Sequence, residues 1–210
     1  LSADDKTLTA LESQGAVVAG TRFVYAIGRL ALWSAQPSLV DAQGEVLRQV
    51  RERGISRVAL ANPKLAPYGA AAVEVMERLA LRPTLEPLWV QGESIAQAHQ
   101  FVASGHAPLG FVALSQVMRE GRLMSGSVWV VPERLHNPLR QEAALLKRGE
   151  SSPAARAFLD FMRGPSARAI IRAHGYEFES AGLVGHRPDA AIGGADHAGP
   201  AGAGHAAGLV

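Results

Sequence analysis

The chain of 210 residues contains no cysteine. This absence excludes disulfide bonds, thiolate metal sites and cysteine nucleophiles, and it fits either a cytoplasmic or a periplasmic location. Basic residues are in little excess, because the formal net charge is only +2. Without clustered lysine and arginine we expect no nucleic-acid partner. No apolar run is long enough to span a bilayer.

Short enzyme motifs are also missing from the sequence. It contains no GxGxxG after a strand, no GxxxxGK[ST], no GxSxG and no HExxH. Ser94 and His99 are a candidate nucleophile and base, but no acid is placed to orient the histidine. We therefore expect that this protein is not an enzyme.

The first residues, LSADDKTL, carry acidic side chains where a signal peptide has a basic region. We therefore identify no signal peptide in the chain. Leu1 is not an initiator methionine. We expect the chain to begin within a longer protein, or to have been processed or truncated.

Apolar runs and helical periodicities alternate along most of the sequence. The patterns predict strands over 23–33, 58–61, 85–90, 107–114, 128–131 and 142–147, and helices or helical turns over 3–15, 43–54, 68–80, 95–103, 115–119, 154–163 and 166–174. By pattern alone 142–147 fits a helix or a strand, and we choose a strand because another helix follows soon after. The alternation indicates an α/β fold with a mostly parallel sheet.

The end of the sequence has a different composition. From Ser180 onward glycine, alanine, histidine and proline dominate and periodicity is almost lost. Such a composition predicts a disordered tail, which we assign to 179–210. Its histidines, which include His186, His197 and His205, have no spacing that fixes a metal geometry, so solvated side chains are the favoured interpretation.

A buried strand followed by a helix start stands out in the stretch 57–79. The run Val58–Ala61 is apolar, a turn containing Asn62 and Pro63 follows, and a helical pattern restarts at Tyr68 after Pro67. Proline suits the first turn of a helix, where its missing N–H would be unpaired anyway. The free N–H groups and partial positive charge of such a helix start can hold an anion. The alternative is an ordinary β–α connection of an α/β protein.

A second helix start of the same kind follows Ser94, which is a suitable N-cap residue. In open parallel sheets ligands bind beyond the carboxyl ends of the strands. Both helix starts therefore can point into one cleft and grip a small anion with neutral donors. Such donors in a rigid pocket discriminate ligands by size and by the number of hydrogen bonds.

Four longer segments resemble one protein family. The segments 61–72 (ANPKLAPYGAAA), 92–117, 126–149 and 155–177 are similar to the periplasmic molybdate-binding proteins of molybdate ABC importers. The similarity runs from Leu1 to about Phe178, most of the chain. It implies an α/β, periplasmic-binding-protein-like fold of type II, with two lobes joined by crossing strands and an oxyanion held in the cleft between them. It places the second lobe at 32–141 and remnants of the first lobe at 1–31 and 142–178.

The resemblance also implies the binding residues. Tyr68 in the PYG turn is expected to contribute its backbone N–H and its hydroxyl, and Ile95 its backbone N–H. Some family members carry a binding tyrosine after the strand that reads GFVAL here, but this chain has Ala113 at that position. Tyr68 is then expected to supply the hydroxyl from the opposite wall.

The family's opening strand and helix, which bear serine or threonine ligands, have no counterpart that we recognise. The first lobe is therefore expected to be incomplete, and this chain to bind weakly or not at all, although the intact protein captures molybdate or tungstate and delivers it to an inner-membrane permease. The implied location is the periplasm, and we expect a monomer without a cofactor. The alternatives are a regulatory effector-binding domain of a transcription factor with the same bilobal fold, or an enzyme on this fold.

Overall fold

Helices and strands alternate along residues 1–179, the part of the chain that the computed structural model describes. The helices are α1 (Asp5–Ser13), α2 (Pro67–Arg78), α3 (Arg82–Leu85), α4 (Ile95–Ala103), α5 (Leu114–Val117), α6 (Pro153–Arg163) and α7 (Pro165–Ala173). The strands are β1 (Phe23–Gly28), β2 (Leu30–Ser34), β3 (Val58–Ala61), β4 (Trp89–Gly92), β5 (Leu109–Ala113), β6 (Met118–Arg119), β7 (Arg122–Leu123), β8 (Ser127–Val130) and β9 (Leu139–Ala143). Short 3-10 turns cover Glu45–Leu47, Glu86–Leu88, Glu133–Leu135 and Lys147–Gly149.

The largest sheet has five strands in the order β4-β3-β5-β2-β8. Strand β3 lies parallel to β4 and β5, whereas β2 runs antiparallel to β5 and β8. The sheet is therefore mixed, and the predicted mostly parallel arrangement holds for four of its strands, with β2 alone running in the opposite direction. No βαβ crossover leads into β2, since this strand continues the chain from β1 after Arg29 alone.

Alternation along β3 sends its side chains into two different cores. Val58 and Leu60 belong to a large buried cluster that also contains residues of α2, and Ala59 belongs to a smaller cluster that contains Val102 of α4. Helices α2 and α4 thus cover opposite faces of the sheet. All four residues of β3 are buried, as expected for a strand covered on both faces.

A second, smaller group of elements surrounds the antiparallel pair of β1 and β9. Its buried cluster contains Val18, Ala143, Leu145 and Leu159, the last of which comes from α6. The pairing has a β-bulge at Tyr25, because Val24 opposes Glu142 and Ala26 opposes Gln141. The end of the described chain joins this pair through an isolated bridge between Ile27 and Glu177.

Several predicted elements agree with the structure. Helix α1 begins after Asp4, whose carboxylate accepts a hydrogen bond from the Thr7 amide at 2.8 Å, and α4 begins after Ser94. Strand β3 has the predicted bounds. The predicted extended segment over 23–33 is present as β1 and β2, separated by one residue.

Other predicted elements were wrong. Only the 3-10 turn Glu45–Leu47 and irregular turns occupy 43–54, where the Asp41 carboxylate accepts from the amides of Glu45 and Val46 and closes a local turn instead of a helix. The strand predicted at 85–90 begins only at Trp89, because Pro87 lies in a 3-10 turn and cannot donate to a ladder. The strand predicted at 142–147 is instead Leu139–Ala143, where pairing with β1 fixes it.

The predicted disorder of the tail concerns residues beyond Glu179, which lie outside the described residues. Within residues 1–179 no helix combines the length and the apolar character that crossing a bilayer requires.

Candidate anion-binding site

Helix α2 begins directly against the end of β3. The Asn62 side-chain oxygen accepts from the Lys64 amide at 3.0 Å, and the Asn62 carbonyl accepts from the Ala66 amide at 2.9 Å. A Cβ placed on Gly69 would lie 2.2 Å from the Ala61 carbonyl oxygen, so only glycine fits this approach. The sequence therefore places the first N–H groups of α2 at the carboxyl end of β3.

Tyr68 occupies the second position of α2 with two unused hydrogen-bond donors. Its backbone N–H has no acceptor within residues 1–179, as is usual in the first turn of a helix. Its side chain is only 6% exposed, and its buried hydroxyl has no hydrogen-bond partner among the same residues. An unpaired buried hydroxyl costs about 1–3 kcal/mol, which an acceptor brought by a ligand would offset.

Residues of β1 and β9 lie close to the Tyr68 hydroxyl. A Cβ placed on Gly28 would lie 2.2 Å from Tyr68 Oη and 3.3 Å from Gln141 Nε2, so the hydroxyl fills the space that glycine leaves in β1. Burial, and then the neighbouring Tyr176, raise the pKa of Tyr68 well above its ordinary value, while the Gln141 side chain opposes that shift. The hydroxyl is therefore a neutral donor at physiological pH.

Helix α4 presents a similar start. Ser94 Oγ accepts from the Gln97 amide at 3.3 Å, and the N–H of Ile95 has no acceptor within residues 1–179. Gln116 Nε2 donates to the Ile95 carbonyl at 3.2 Å, and Gln116 Oε1 accepts from the Ala113 amide at 2.9 Å. These bonds tie the first residue of α4 to the end of β5.

The two helix starts lie at the same edge of the sheet. Strands β3 and β4 are parallel neighbours, and the Asn62 amide donates to the Gly92 carbonyl at 2.7 Å, so the two connections touch where the strands end. Tyr68 is part of the large buried cluster, and Ile95 packs against that cluster although α4 covers the other face of the sheet. Ala113 belongs to the same cluster.

A cavity of about 520 Å³ lies next to the start of α2. Its lining comes from the first turn of α1, the turn 63–66, one face of α2 and the segment 137–140. Asp4, Asp5 and Glu74 line it together with Lys6, Lys64 and Arg140, so it has no dominant charge. Neither Tyr68 nor Ile95 is among its lining residues.

The other sequence candidates do not assemble into a site. Ser94 Oγ is occupied as the cap of α4, and the His99 ring stacks on Trp33 with centroids 5.0 Å apart. Burial lowers the pKa of His99. Asp160 pairs at 3.6 Å with Arg163 on the surface of α6. Within residues 1–179 no three histidine, aspartate or glutamate side chains are grouped to hold a metal ion, and the tail histidines lie outside the described residues.

Sequence reasoning missed three residues around the Tyr68 hydroxyl: Gly28, Gln141 and Tyr25. The Tyr25 hydroxyl donates to Gln141 Oε1 at 2.9 Å. The sequence gives a weak indication of the role of Gly28, because a glycine inside an apolar strand often marks the close approach of another group. The sequence gives no indication of the role of Gln141, since its partner is set by the long-range pairing of β9 with β1.

The fold is that of an α/β solute-binding protein. Residues 1–177 match the family described as bacterial extracellular solute-binding proteins, and the chain belongs to that family. The sequence is 52% identical over 176 residues to the molybdate-binding protein ModA of Azotobacter vinelandii, with 84% of this chain and 69% of that protein covered. It is 49% identical over 180 residues to the molybdate-binding protein ModA of Rhodobacter capsulatus, with 85% of this chain and 68% of that protein covered.

Solved structures confirm the predicted periplasmic-binding-protein-like fold. The periplasmic molybdate-binding protein of Azotobacter vinelandii superposes with a TM-score of 0.77 and 41% identity, covering 85% of this chain and 77% of that one. A periplasmic thiamin-binding protein superposes with a TM-score of 0.54 and 15% identity, covering 83% of this chain and 63% of that one. The second likeness shows the fold alone, so the ligand must be argued from the site.

Proposed function

We propose that this chain belongs to the substrate-binding component of an ABC importer that captures molybdate or tungstate. Two relatives of about half-identical sequence carry the name molybdate-binding protein. The observation that carries the proposal is the pair of helix starts at one edge of the sheet, where the N–H groups of Tyr68 and Ile95 and the buried Tyr68 hydroxyl have no hydrogen-bond acceptor within residues 1–179. Membership of the solute-binding family favours transport over the regulatory alternative.

Neutral donors suit this ligand. A tetrahedral dianion offers acceptors in every direction, and N–H groups at helix starts hold such anions without a neutralising side chain. We assign the N–H and hydroxyl of Tyr68 and the N–H of Ile95 to the oxyanion. Because these donors are uncharged, the ligand is the only ion that loses its hydration on binding. An anion that fits poorly leaves some of the donors unpaired, which lowers its affinity.

We further propose two lobes, with 32–141 in one and 1–31 together with 142–178 in the other. The five-stranded sheet and its large core support the first assignment. The β1–β9 pair and the small cluster around Leu159 support the second. Since the Tyr68 hydroxyl is closed to solvent, an oxyanion reaches it only if the contact between α2 and the crossing strands opens. Hinge movement between lobes provides such an opening, and no bond is made or broken.

The proposed partners follow from the family. A substrate-binding component hands its ligand to a membrane permease, which we place in the inner membrane, and the similar solved structure is a periplasmic protein. We therefore propose the periplasm as the location and a monomer as the working form. Catalysis forms no part of the proposal, because the relatives are binding proteins.

Equilibrium dialysis with molybdenum and tungsten measured by mass spectrometry tests the proposal. The three assigned donors, at about 1.5–3 kcal/mol each, together supply about 4.5–9 kcal/mol, which corresponds to dissociation constants between about 0.5 mM and about 0.3 µM. We expect saturable binding of molybdate and tungstate in that range at pH 8, with sulfate competing poorly. Amide shifts in nuclear magnetic resonance spectra should be largest at Tyr68 and Ile95.

Two outcomes would count against the proposal. Absence of saturable binding at ten times the upper expected constant would reject molybdate as the ligand of this chain. Binding with shifts confined to the cavity between α1 and α2 would reject the assignment of Tyr68 and Ile95. Binding tighter than about 0.1 µM would show that further donors contribute.

A further inference from the structure

A chain of polar side chains leads from Tyr25 through Gln141 to Tyr68. The Tyr25 hydroxyl donates to Gln141 Oε1 at 2.9 Å. In this arrangement the carbonyl oxygen of the Gln141 amide lies against Tyr25, so its NH₂ group is directed away from Tyr25. Gln141 is largely buried, with an exposed fraction of 7%.

The fixed amide presents its NH₂ group toward Tyr68. Gly28 opposes Leu139, two residues from Gln141, so Gly28 and Gln141 lie on the same face of the β1–β9 pair. A Cβ placed on Gly28 would lie 2.2 Å from Tyr68 Oη and 3.3 Å from Gln141 Nε2. Both polar atoms therefore lie close to the backbone of Gly28, where a side chain is missing. The hydroxyl oxygen therefore faces a donor, although it lacks hydrogen-bond geometry within residues 1–179.

The β-bulge explains how Tyr25 reaches Gln141. In a regular ladder Tyr25 and Ala26 would point to opposite faces, and Ala26 is the residue that opposes Gln141. The extra residue in β1 breaks this alternation at Tyr25, and bulges commonly redirect one side chain in this way. The bulge and the glycine are independent features of one strand that serve the same hydroxyl.

We propose that Gln141, oriented by Tyr25 and seated against Gly28, positions the Tyr68 hydroxyl as an obligate proton donor to the bound oxyanion. This inference rests on the proposed function. With its oxygen turned to the Gln141 NH₂ group, the hydroxyl has only its proton to offer. The site then accepts an anion whose oxygens carry no proton and disfavours one that needs an acceptor, such as hydrogen phosphate.

Variants of the three supporting residues test the proposal by dialysis at pH 8, with molybdate and hydrogen phosphate as the two probes. Gln141→Leu should weaken molybdate binding by a factor of about 2–10, since the polar NH₂ group that faces the Tyr68 oxygen is lost, and should reduce the preference for molybdate over hydrogen phosphate. Tyr25→Phe removes only a hydroxyl and should act in the same direction, because the freed amide can turn its oxygen toward Tyr68. Gly28→Ala should displace the hydroxyl and weaken molybdate binding by tenfold or more.

The controls separate this inference from the proposed function. Gly149→Ala adds a methyl group whose nearest neighbour is Leu145 Cδ1 at 3.7 Å, and it should bind as the original chain does. If the original chain does not bind molybdate, the proposed capture of molybdate by this chain fails, and the positioning role fails with it. If it binds and Tyr68→Phe weakens binding, but folded Tyr25→Phe and Gln141→Leu keep both affinity and selectivity, the positioning role is overturned and the function stands. Circular dichroism identifies variants that do not fold, and the milder Tyr25→Phe then decides.

Discussion

At the scale of single residues, the Tyr68 hydroxyl combines a cost for the fold with a use for the ligand. It is buried without a hydrogen-bond partner within residues 1–179. Such a group destabilises the ligand-free chain, and under the proposed assignment it gains an acceptor only when the oxyanion binds. Stability and binding should therefore respond to its removal in opposite directions.

Tyr68→Phe tests this opposition. We expect the free energy of unfolding at pH 7 to rise by about 0.5–1 kcal/mol, because the unpaired hydroxyl is removed and the ring remains. Molybdate binding should weaken by about tenfold or more, since one charge-assisted hydrogen bond is lost. Urea unfolding and dialysis measure the two quantities. A variant that is less stable and binds unchanged would contradict the assignment.

The same substitution should change the alkaline limit of stability. Burial and the neighbouring Tyr176 raise the pKa of Tyr68 in the folded chain, whereas the unfolded value is about 10. The contribution of this raised pKa to the free energy of unfolding is complete below pH 10. It is lost as pH rises toward the folded pKa, because Tyr68 of the unfolded chain releases its proton first. Between pH 10 and 11 the original chain should lose about 1 kcal/mol more than Tyr68→Phe. Parallel losses would show that Tyr68 titrates normally.

At the scale of elements, the joint between β3 and α2 depends on Gly69. A Cβ at that position would meet the Ala61 carbonyl oxygen at 2.2 Å and the Asn62 carbonyl carbon at 2.9 Å, both of them backbone atoms that cannot rotate away. The start of α2 would have to move outward, and the N–H of Tyr68 would move with it.

Gly69→Ala should therefore destabilise the chain by about 1–2 kcal/mol and weaken molybdate binding. Overpacking costs about 1–3 kcal/mol, and an approach of 2.2 Å to a backbone atom places this substitution in the upper part of that range, so the cost outweighs the gain of about 1 kcal/mol in helix propensity. Gly149→Ala is the matched control, because its methyl group has room. Urea unfolding of both variants measures the difference. Equal stability of the two variants would mean that α2 tolerates the shift.

The same elements show what the sequence can reveal. Helix α4 was predictable because Ser94 is a local cap and the helical period begins beside it. The free N–H groups at Tyr68 and Ile95 follow from the same local signals. Gln141 was not predictable, because its role depends on a register between strands more than 100 residues apart in sequence. The strand β9 was misplaced for the same reason, since pairing and not periodicity sets its ends.

At the scale of the whole molecule, burial is unevenly distributed over residues 1–179. Helix α2 has six buried residues, whereas Leu159 is the only buried residue of α6 and Ala167 the only one of α7. Phe158, Phe161 and Ile170 on these two helices are exposed. Regions with few buried contacts open at a lower free energy than the core of the same protein.

Hydrogen exchange measured by mass spectrometry should detect this difference. We expect amides of 153–173 to exchange through openings at least about 1.4 kcal/mol lower in free energy than those of β3 and α2, a tenfold difference in protection. Added molybdate should protect the start of α2 and leave α6 unchanged. Uniform protection of 153–173, β3 and α2 would contradict the proposed difference in local stability.

The extra residue in β1 has a genetic consequence. An in-frame deletion of the Tyr25 codon would join Val24 to Ala26, whose partners Glu142 and Gln141 are already consecutive in β9. The ladder would become regular, so the shortened protein is expected to fold. Its Gln141 would nevertheless lose the phenol that orients it, and a screen for abundance alone would score the deletion as silent.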